Sequence, residues 1–304
     1  MDVSVIIVNY NTCALTRNCL NSIFQQTKDI DFEVIVSDNG SKDGSIEMIR
    51  QEFPQVILIE NNANLGFGTA NNRGLKIAKG KYIFYLNSDT ILLNNAVKYF
   101  FDYWENSPDK DIIGALGANL LNGQGKIIHS YGKFPNAWKE VIFLFIRLFV
   151  IFFVWLFGLN RRKIKKDNEK KKFVGSVDYI TGADLFVKNN YFANFDERFF
   201  LYFEETFLQL QLKKAGLKRI IINNPKIIHL EGESNSRKIC GNLLDYVTFS
   251  AIQFEISRIQ YQKYSGATFV ARLMKILLYL FWSIPCFKKE TEKYKSQLYN
   301  DEQK

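Results

Sequence analysis

Two aspartates stand directly after apolar runs of the sequence. Asp38 follows "VIVS" and Asp89 follows "YLNS", and the two lie 51 positions apart (89 − 38). In open α/β sheets, ligands bind beyond the carboxyl ends of the strands, so both carboxylates are expected at one edge of a sheet. Each aspartate alone could be a turn or capping residue, which is a common role for Asp. The two occurrences together favour a binding site.

The segments around these aspartates alternate between strand and helix patterns. Strands are predicted over residues 3–8, 32–37, 55–60, 81–86 and 177–187. Helices are predicted over residues 13–24, over 68–80 with a glycine stop at Gly80, and over 204–216. This alternation predicts an α/β domain with a mostly parallel sheet.

An apolar run of 19 residues, 141–159, interrupts the alternation and contains one charge, Arg147. Its length is close to the roughly 20 residues that cross a bilayer. Because α/β patterning resumes after it, a single crossing would separate two halves of one domain. A helix or hairpin embedded in one face of the membrane avoids this, with "RRKIKK" at 161–166 among the headgroups. A buried core helix is the alternative, although the run is apolar on all sides.

A second membrane-prone stretch covers residues 269–287 and contains Pro285, which is expected to end it. We interpret it as an interfacial helix, with packing on the main domain as the alternative.

Composition excludes several classes of protein. A hydrophobic content of 47% in 304 residues excludes a disordered chain. The net charge of +9 is concentrated near the apolar run, at 161–166 and 170–172, which suits an anionic membrane surface better than nucleic acid. The four cysteines form no CxxC pair, and the N-terminus lacks a signal-peptide pattern, so a reducing, cytoplasmic setting is expected.

Six motifs occur in an order that resembles the family 2 glycosyltransferases, especially the rhamnosyltransferase-like branch. They are "SVIIVNYNT", "VSDNGSKDGS", "NANLGFGTANNRG", "YLNSDT", "ITGADLFV" and "FDERFFLYFEET", and they cover roughly residues 3–235. The resemblance implies the GT-A fold, an α/β nucleotide-sugar-binding domain with a mostly parallel mixed sheet. Membrane-associating helices are expected beside it.

The resemblance also implies which residues bind the nucleotide sugar. Asp38 would accept the ring N–H of uracil or thymine, and Asn9 and Tyr10 close the first strand, where the family's backbone contacts the base. Gly66 in "NLGFG" would let the backbone approach a ligand closely. The remaining neutral candidates are Asn64, Asn71 and Asn87.

A divalent metal, Mg²⁺ or Mn²⁺, is the implied cofactor, because it would neutralise the diphosphate leaving group. Asp89 ends the "NSD" motif, which stands where the family has an Asp-x-Asp-like motif, with Asn87 in the first position. His229 in "IIHLEGESNS" matches a family histidine near the diphosphate or the metal. Hard cations often take only one or two protein carboxylates plus phosphate oxygens.

An acidic pair, Glu204 and Glu205 in "FEET", aligns with the acidic pair that supplies the family's catalytic base. Inversion at the anomeric carbon needs a base for the acceptor hydroxyl. Neighbouring helix positions point about 100° apart, so one glutamate faces the sugar, and Glu205 is assigned that role. Phe207 stands where the family has a further acid. Alternatively, both charges merely stabilise the helix N-terminus.

The implied function is inverting transfer of a sugar from a dTDP-sugar, such as dTDP-rhamnose, or a UDP-sugar to a lipid-linked saccharide. The setting would be surface polysaccharide assembly on the cytoplasmic membrane face. The expected organisation is a glycosyltransferase domain over 1–235, with a membrane-associating insertion at about 139–172, and a helical membrane-proximal region over 236–304. "NYNT" lacks the GxGxxG of a Rossmann oxidoreductase. A degenerate protein that only binds saccharide or a partner stays open, because "FEET" departs from Glu-Asp.

Overall fold

The computed structural model describes residues 1–156, 171–230, 249–283, 291, 294 and 295. These residues divide into two compact units. The first unit contains the described residues of 1–134, 171–200 and 204–230, and the second contains those of 135–156, 201–203 and 249 onward. The predicted boundary at 235–236, the basic segment 161–166 and Pro285 lie outside the described residues.

The first unit is built on a mixed sheet. In the described chain the strands are β1 Val3–Asn9, β2 Phe32–Asp38, β3 Ile57–Glu60, β4 Tyr82–Asn87, β5 Thr90–Leu92, β6 Ile113–Ala118, β7 Tyr131–Gly132, β8 Gly175–Val177, β9 Tyr179–Ile180, β10 Asp184–Lys188, β11 Lys218–Ile222 and β12 Ile227–His229. The main sheet has the order β3-β2-β1-β4-β10-β6-β11-β8. β10 runs antiparallel to β4 and β6, and β8 runs antiparallel to β11. The other pairs in this sheet are parallel.

Helices connect these strands and form the second unit. Within the described ranges they are α1 Cys13–Gln26, α2 Ser45–Glu52, α3 Phe67–Leu75, α4 Ala96–Asn106, α5 Ala137–Leu156, α6 Glu204–Lys214, α7 Phe249–Ser265 and α8 Thr268–Trp282. The predicted α/β class with a mostly parallel mixed sheet is confirmed.

The central strand β1 is apolar on both faces because it is covered on both. Val5 and Ile7 belong to one buried cluster, and Ile6 belongs to another that includes Ile35 and Ile83. Each such side chain contributes about 1.5–3 kcal/mol when fully buried. This burial fixes the alignment of β1 with its neighbours, and therefore the positions of the residues at the strand ends.

The strand register brings several motif residues to one edge of the sheet. Asn9 at the end of β1 lies opposite Asp38 at the end of β2, and Val8 lies opposite Asn87 at the end of β4. β5, which begins just after Asp89, pairs antiparallel with β12, so that Thr90 lies opposite His229.

Two predicted elements were wrong. The predicted strand 177–187 is divided among β8, β9 and β10, because the chain turns at residues 181–183 and β9 pairs with β7 instead of the main sheet. The helix predicted to stop at Gly80 ends at Leu75. Gly80 has another role: a Cβ there would lie 2.3 Å from the backbone nitrogen of Ser4, so glycine allows the chain to pass close to β1.

In the second unit, α5 packs through one narrow face. Val141 and Leu144 are buried in a cluster with Met274 of α8 and Ile256 of α7. The single charge of the apolar run, Arg147, forms an ion pair with Glu255 of α7. The charge therefore lies on the packed side of α5, while large apolar side chains remain exposed on its other sides.

The exposed apolar side chains of this unit come mainly from α5 and α8. They include Trp138, Ile142, Phe143, Phe145, Ile146, Phe149, Phe269, Ile276 and Leu280, which are 53–69% exposed. Within the described residues, no helix combines the length and the apolar character needed to cross a membrane.

A buried acid in the first unit leads to a prediction about pH and stability. Asp184 is fully buried, its Oδ2 accepts the N–H of Ala118 over 2.6 Å, and its Oδ1 has no hydrogen-bond partner in the described chain. Burial raises the pKa of Asp184 well above its usual value. Between the unfolded and folded pKa values, the folded chain keeps a proton that the unfolded chain has released. The free energy of unfolding therefore falls as pH rises through this window, by up to about 1.4 kcal/mol per pH unit.

We expect Asp184→Asn to remove this dependence, because asparagine is neutral in both states. Urea unfolding at pH 5 and pH 8 should show the variant gaining stability over the wild type as pH rises. Asp111→Asn, at an exposed carboxylate, is the matched control. An equal difference at both pH values would show that Asp184 is ionised in the folded chain.

Candidate active site

Asp38 and Asn9 are fully buried and bind each other at the ends of β2 and β1. Asn9 Nδ2 donates to Asp38 Oδ2 over 2.6 Å. Asp38 Oδ1 accepts the backbone N–H groups of Gly40 and Ser41 over 3.0 and 2.8 Å. These bonds fix the loop after β2, as expected for an aspartate in a turn. A contact between Asp38 and a nucleotide base stays a prediction.

The predicted close approach at Gly66 involves the protein's own chain. Gly66 has a φ of 84°, and a Cβ there would lie 2.1 Å from the carbonyl oxygen of Phe200. The N–H of Phe67 donates to the same oxygen over 3.0 Å. Glycine is therefore needed where the start of α3 meets the segment that leads to Glu204. The sequence alone did not indicate this contact.

The other predicted nucleotide-binding residues differ in exposure. Tyr10 is 47% exposed, whereas Asn71 is buried and donates to the carbonyl of Phe67 over 3.1 Å. Asn64 is exposed, and its side-chain oxygen accepts the N–H of Gly66 over 3.0 Å. Tyr10 and Asn64 are thus accessible to a ligand, whereas Asn71 supports the first turn of α3.

Asp89 and His229 meet at the edge where β4 ends. The Nε2 of His229 lies 3.2 Å from the Oδ1 of Asp89, and 3.5 Å from the Nδ2 of Asn87. The N–H of Leu230 donates to the carbonyl of Asp89 over 2.9 Å, which links the two segments. The structure therefore brings together the two predicted metal ligands.

This pair suits a metal that is shared with a ligand. Among the described residues, no cluster of three or more His, Cys, Asp or Glu side chains could hold a metal ion. One carboxylate oxygen and one imidazole nitrogen leave most coordination positions to other groups. Mg²⁺ sites that bind substrate phosphates commonly use only one or two protein carboxylates, and phosphate oxygens and water complete the shell. The residues present therefore fit a metal that binds with a diphosphate.

Glu204 and Glu205 begin α6 but have different surroundings. Glu204 is 3% exposed, and its Oε2 has no hydrogen-bond partner in the described chain. Burial raises its pKa well above the usual value, and the charge of Glu205 raises it further. Glu205 is half-buried, and burial also raises its pKa. Of the two, Glu205 is the more exposed.

Phe207 occupies the position where the family has a further acid. Its side chain is 8% exposed and packs against Phe199, with ring centroids 5.3 Å apart. The Phe207 side chain therefore packs beneath the first turn of α6 and contributes no charge to the site.

Sequence analysis missed Gln209, a fully buried side chain of α6. Its carboxamide accepts the N–H of Ile180 and donates to the carbonyl of Ile180, both over 2.7 Å. The available signal was an amide four positions after Glu205, next to the buried Leu208 and three positions before the buried Leu212. Such a residue needs partners inside the protein.

Comparison with known families identifies the chain. The family model described as Glycosyl transferase family 2 matches residues 4–168, more than half of the chain. The protein belongs to this family. The predicted family, the GT-A fold and the nucleotide-sugar-dependent glycosyltransferase class are thereby confirmed.

Relatives of this family 2 glycosyltransferase include an enzyme with a lipid-linked acceptor. This chain is 25% identical over 224 residues to the N-acetylglucosaminyl-diphospho-decaprenol L-rhamnosyltransferase of Mycobacterium tuberculosis. The match covers 69% of this chain and 70% of the relative. The chain is 29% identical over 207 residues to an uncharacterised glycosyltransferase of Methanocaldococcus jannaschii, covering 66% and 69% of the two chains.

Solved structures support the same fold. A mannosyltransferase from Pyrobaculum calidifontis, in complex with GDP-Man and Mn2+, has a TM-score of 0.54 at 15% identity, over 97% of this chain and 75% of that one. The S. aureus protein TarS has a TM-score of 0.52 at 13% identity, over 93% of this chain and 44% of that one. The protein described here thus spans less than half of the length of TarS.

Proposed function

We propose that this glycosyltransferase transfers a sugar, with inversion, from a dTDP- or UDP-sugar to a lipid-linked saccharide in surface polysaccharide assembly. The observation that carries the proposal is the pair formed by Asp89 and His229, 3.2 Å apart at the edge where β4 ends. The rhamnosyltransferase relative of M. tuberculosis, named for its diphospho-decaprenol acceptor, supports rhamnose as the sugar and a lipid-linked acceptor.

Each group has a role in this reaction. Glu205 takes the proton of the acceptor hydroxyl. The acceptor oxygen attacks the anomeric carbon from the side opposite the diphosphate. The bond from the anomeric carbon to the diphosphate oxygen breaks at the same time. Asp89 and His229 would hold Mg²⁺ or Mn²⁺, which neutralises charge on the departing diphosphate. The buried Glu204 would keep its own proton and would not compete as the base.

The nucleotide would lie beside the ends of β1 and β2. Exposure of Tyr10 and Asn64 supports their contact with the donor. Asp38 and Asn9 would shape the nucleotide site by holding the loop after β2. Asp38 would also accept the ring N–H of uracil or thymine. Gly66, Asn71 and Asn87 complete the proposed donor site.

Turnover with purified protein tests this function. The donors are dTDP-rhamnose and a panel of UDP-hexoses, each with Mn²⁺ and a diphospho-polyprenol-linked N-acetylglucosamine acceptor. The expected result is metal-dependent product with one of these donors and none without the acceptor. Saccharide or nucleotide binding without turnover of any donor would favour the degenerate, non-catalytic alternative.

We propose further that the protein associates with the anionic, cytoplasmic face of a membrane. Support comes from the exposed apolar side chains of α5 and α8 and from the basic residues that follow α5 in the sequence. Cys13 and Cys19 are free thiols, which agrees with a reducing compartment.

Substitution on the exposed side of α5 is expected to weaken this association. Phe145 and Phe149 are 57% and 53% exposed, and each fully inserted ring contributes about 1.5–3 kcal/mol. Phe145→Ser with Phe149→Ser should lower binding to vesicles of anionic phospholipid by at least about tenfold in a flotation assay.

The matched control replaces two exposed aromatic residues of the first unit, Tyr103→Ser with Tyr191→Ser. This variant should float like the wild type. Equal flotation of all three proteins would exclude α5 as the membrane-binding element.

A further inference from the structure

A short turn in the first unit lies beside Glu205 and is attached to the segment that carries Asp89. The turn consists of residues 181–183, between β9 and β10. A Cβ added to Gly182 would lie 3.6 Å from the Cβ and Cγ of Glu205, so the turn runs alongside this side chain with room for about one methyl group between them. The carbonyl of Ala183 accepts the N–H of Asn87 over 3.1 Å. The turn therefore connects the "NSD" segment with the acidic pair.

Gln209 holds the near end of this turn. Its Oε1 accepts the N–H of Ile180, and its Nε2 donates to the carbonyl of Ile180, so the side chain pairs with β9 as a neighbouring strand would. The same Nε2 donates to the carbonyl of Glu205 over 3.1 Å. One buried carboxamide thus links the residue before the turn to the backbone of the proposed base.

The other attachments of the turn are made by backbone atoms. Thr181 donates its N–H to the carbonyl of Ser130 over 3.0 Å, and Ala183 accepts from Asn87 as described. Of these contacts, the one through Gln209 is the one that depends on a side-chain amide. Substitution of Gln209 therefore tests the position of the turn without changing the backbone or any group proposed to touch the substrate.

We propose that Gln209 is a positioning residue for sugar transfer, which fixes the turn at residues 181–183 against Glu205. The inference rests on the proposed function. Without the carboxamide, Ile180 and Glu205 lose their common partner, and the spacing between the turn and the base is no longer fixed. A displacement of about 1 Å at a reacting group costs about 100-fold in rate. Donor binding should be unaffected, because Gln209 bonds to Ile180 and Glu205, whereas Asn87 is held to the turn by a backbone hydrogen bond that the substitution leaves in place.

The test uses Gln209→Met, which preserves length and volume and removes the hydrogen bonds. The control is Gln211→Met in the same helix. We expect kcat of Gln209→Met to fall by about 10- to 100-fold, while KM for the donor and calorimetric affinity for the nucleotide stay within about twofold of wild type. The control should match the wild type in both quantities. A variant that was merely less stable would bind fewer nucleotides per chain in calorimetry, in proportion to its loss of kcat.

A second variant, Gln209→Glu, keeps an acceptor for Ile180 and at most one of the two donated bonds, so the inference can be tested if methionine prevents folding. A lower kcat with unchanged donor affinity is expected here too. Unchanged kcat in a folded Gln209 variant, or equal losses for Gln209 and Gln211 variants, would overturn the positioning role and leave the proposed function intact. A wild-type protein without transfer to any acceptor would instead remove the proposed function, and the positioning role with it.

Discussion

Glu205→Gln is expected to lower kcat by about 10²- to 10⁴-fold, the range lost when a general base is removed. Glutamine has the same shape but cannot accept the proton of the acceptor hydroxyl. Affinity for the nucleotide should stay within about twofold, because the base acts on the acceptor. Steady-state turnover and calorimetry on the same preparation provide the two measurements.

Glu204→Gln is the matched control for this variant. Glu204 is buried, and its pKa is raised well above the usual value, so glutamine resembles the protonated acid that it replaces. We expect kcat to stay within about tenfold of wild type. In the wild type, kcat should fall as pH decreases through the raised pKa of Glu205, since the base must be deprotonated. A large loss for Glu204→Gln and a small one for Glu205→Gln would reverse the two roles.

Asp89→Asn is expected to lower metal-stimulated turnover by about 100-fold or more. A metal at the leaving group supplies several kcal/mol of transition-state stabilisation, and about 3 kcal/mol corresponds to that factor. Asparagine keeps the size of the side chain and removes the negative charge beside His229. A Mn²⁺ titration of turnover should show both a lower maximum and a weaker apparent metal affinity.

Asp102→Asn is the control for the lost charge, because this carboxylate lies on α4 and pairs with Lys98. Its metal titration should match the wild type. If Asp89→Asn also gives the wild-type titration, Asp89 does not hold the metal.

Features that depend on local sequence were predictable. The strands that end at Asn9, Asp38 and Asn87 follow apolar runs, and their common edge follows from parallel pairing. The helix that begins with Glu204 and ends before Gly216 was also predicted from its pattern. In each case, the signal lies within a window of about a dozen residues.

Features that depend on distant segments were not predictable. The turn within residues 177–187 was not predicted from their mostly apolar character. Hydrophobic patterning does not indicate which neighbouring strand each half of such a segment will pair with. The role of Gly66 in ligand binding stays a prediction, but its contact with the carbonyl of Phe200 was not foreseen. Ile180, which forms two hydrogen bonds with the Gln209 side chain, lies 29 positions away in the sequence. Only the folded chain shows such contacts.

The stereochemistry of the product tests the proposed reaction most directly. The wild-type protein is incubated with Mn²⁺, the lipid-linked acceptor and a nucleotide sugar of known anomeric configuration, and the new linkage is assigned by NMR from its one-bond carbon–proton coupling. Attack by an acceptor that Glu205 deprotonates, opposite a departing diphosphate, predicts a single product with the inverted anomeric configuration. A product with the configuration of the donor, or release of free sugar without a new linkage, would contradict it.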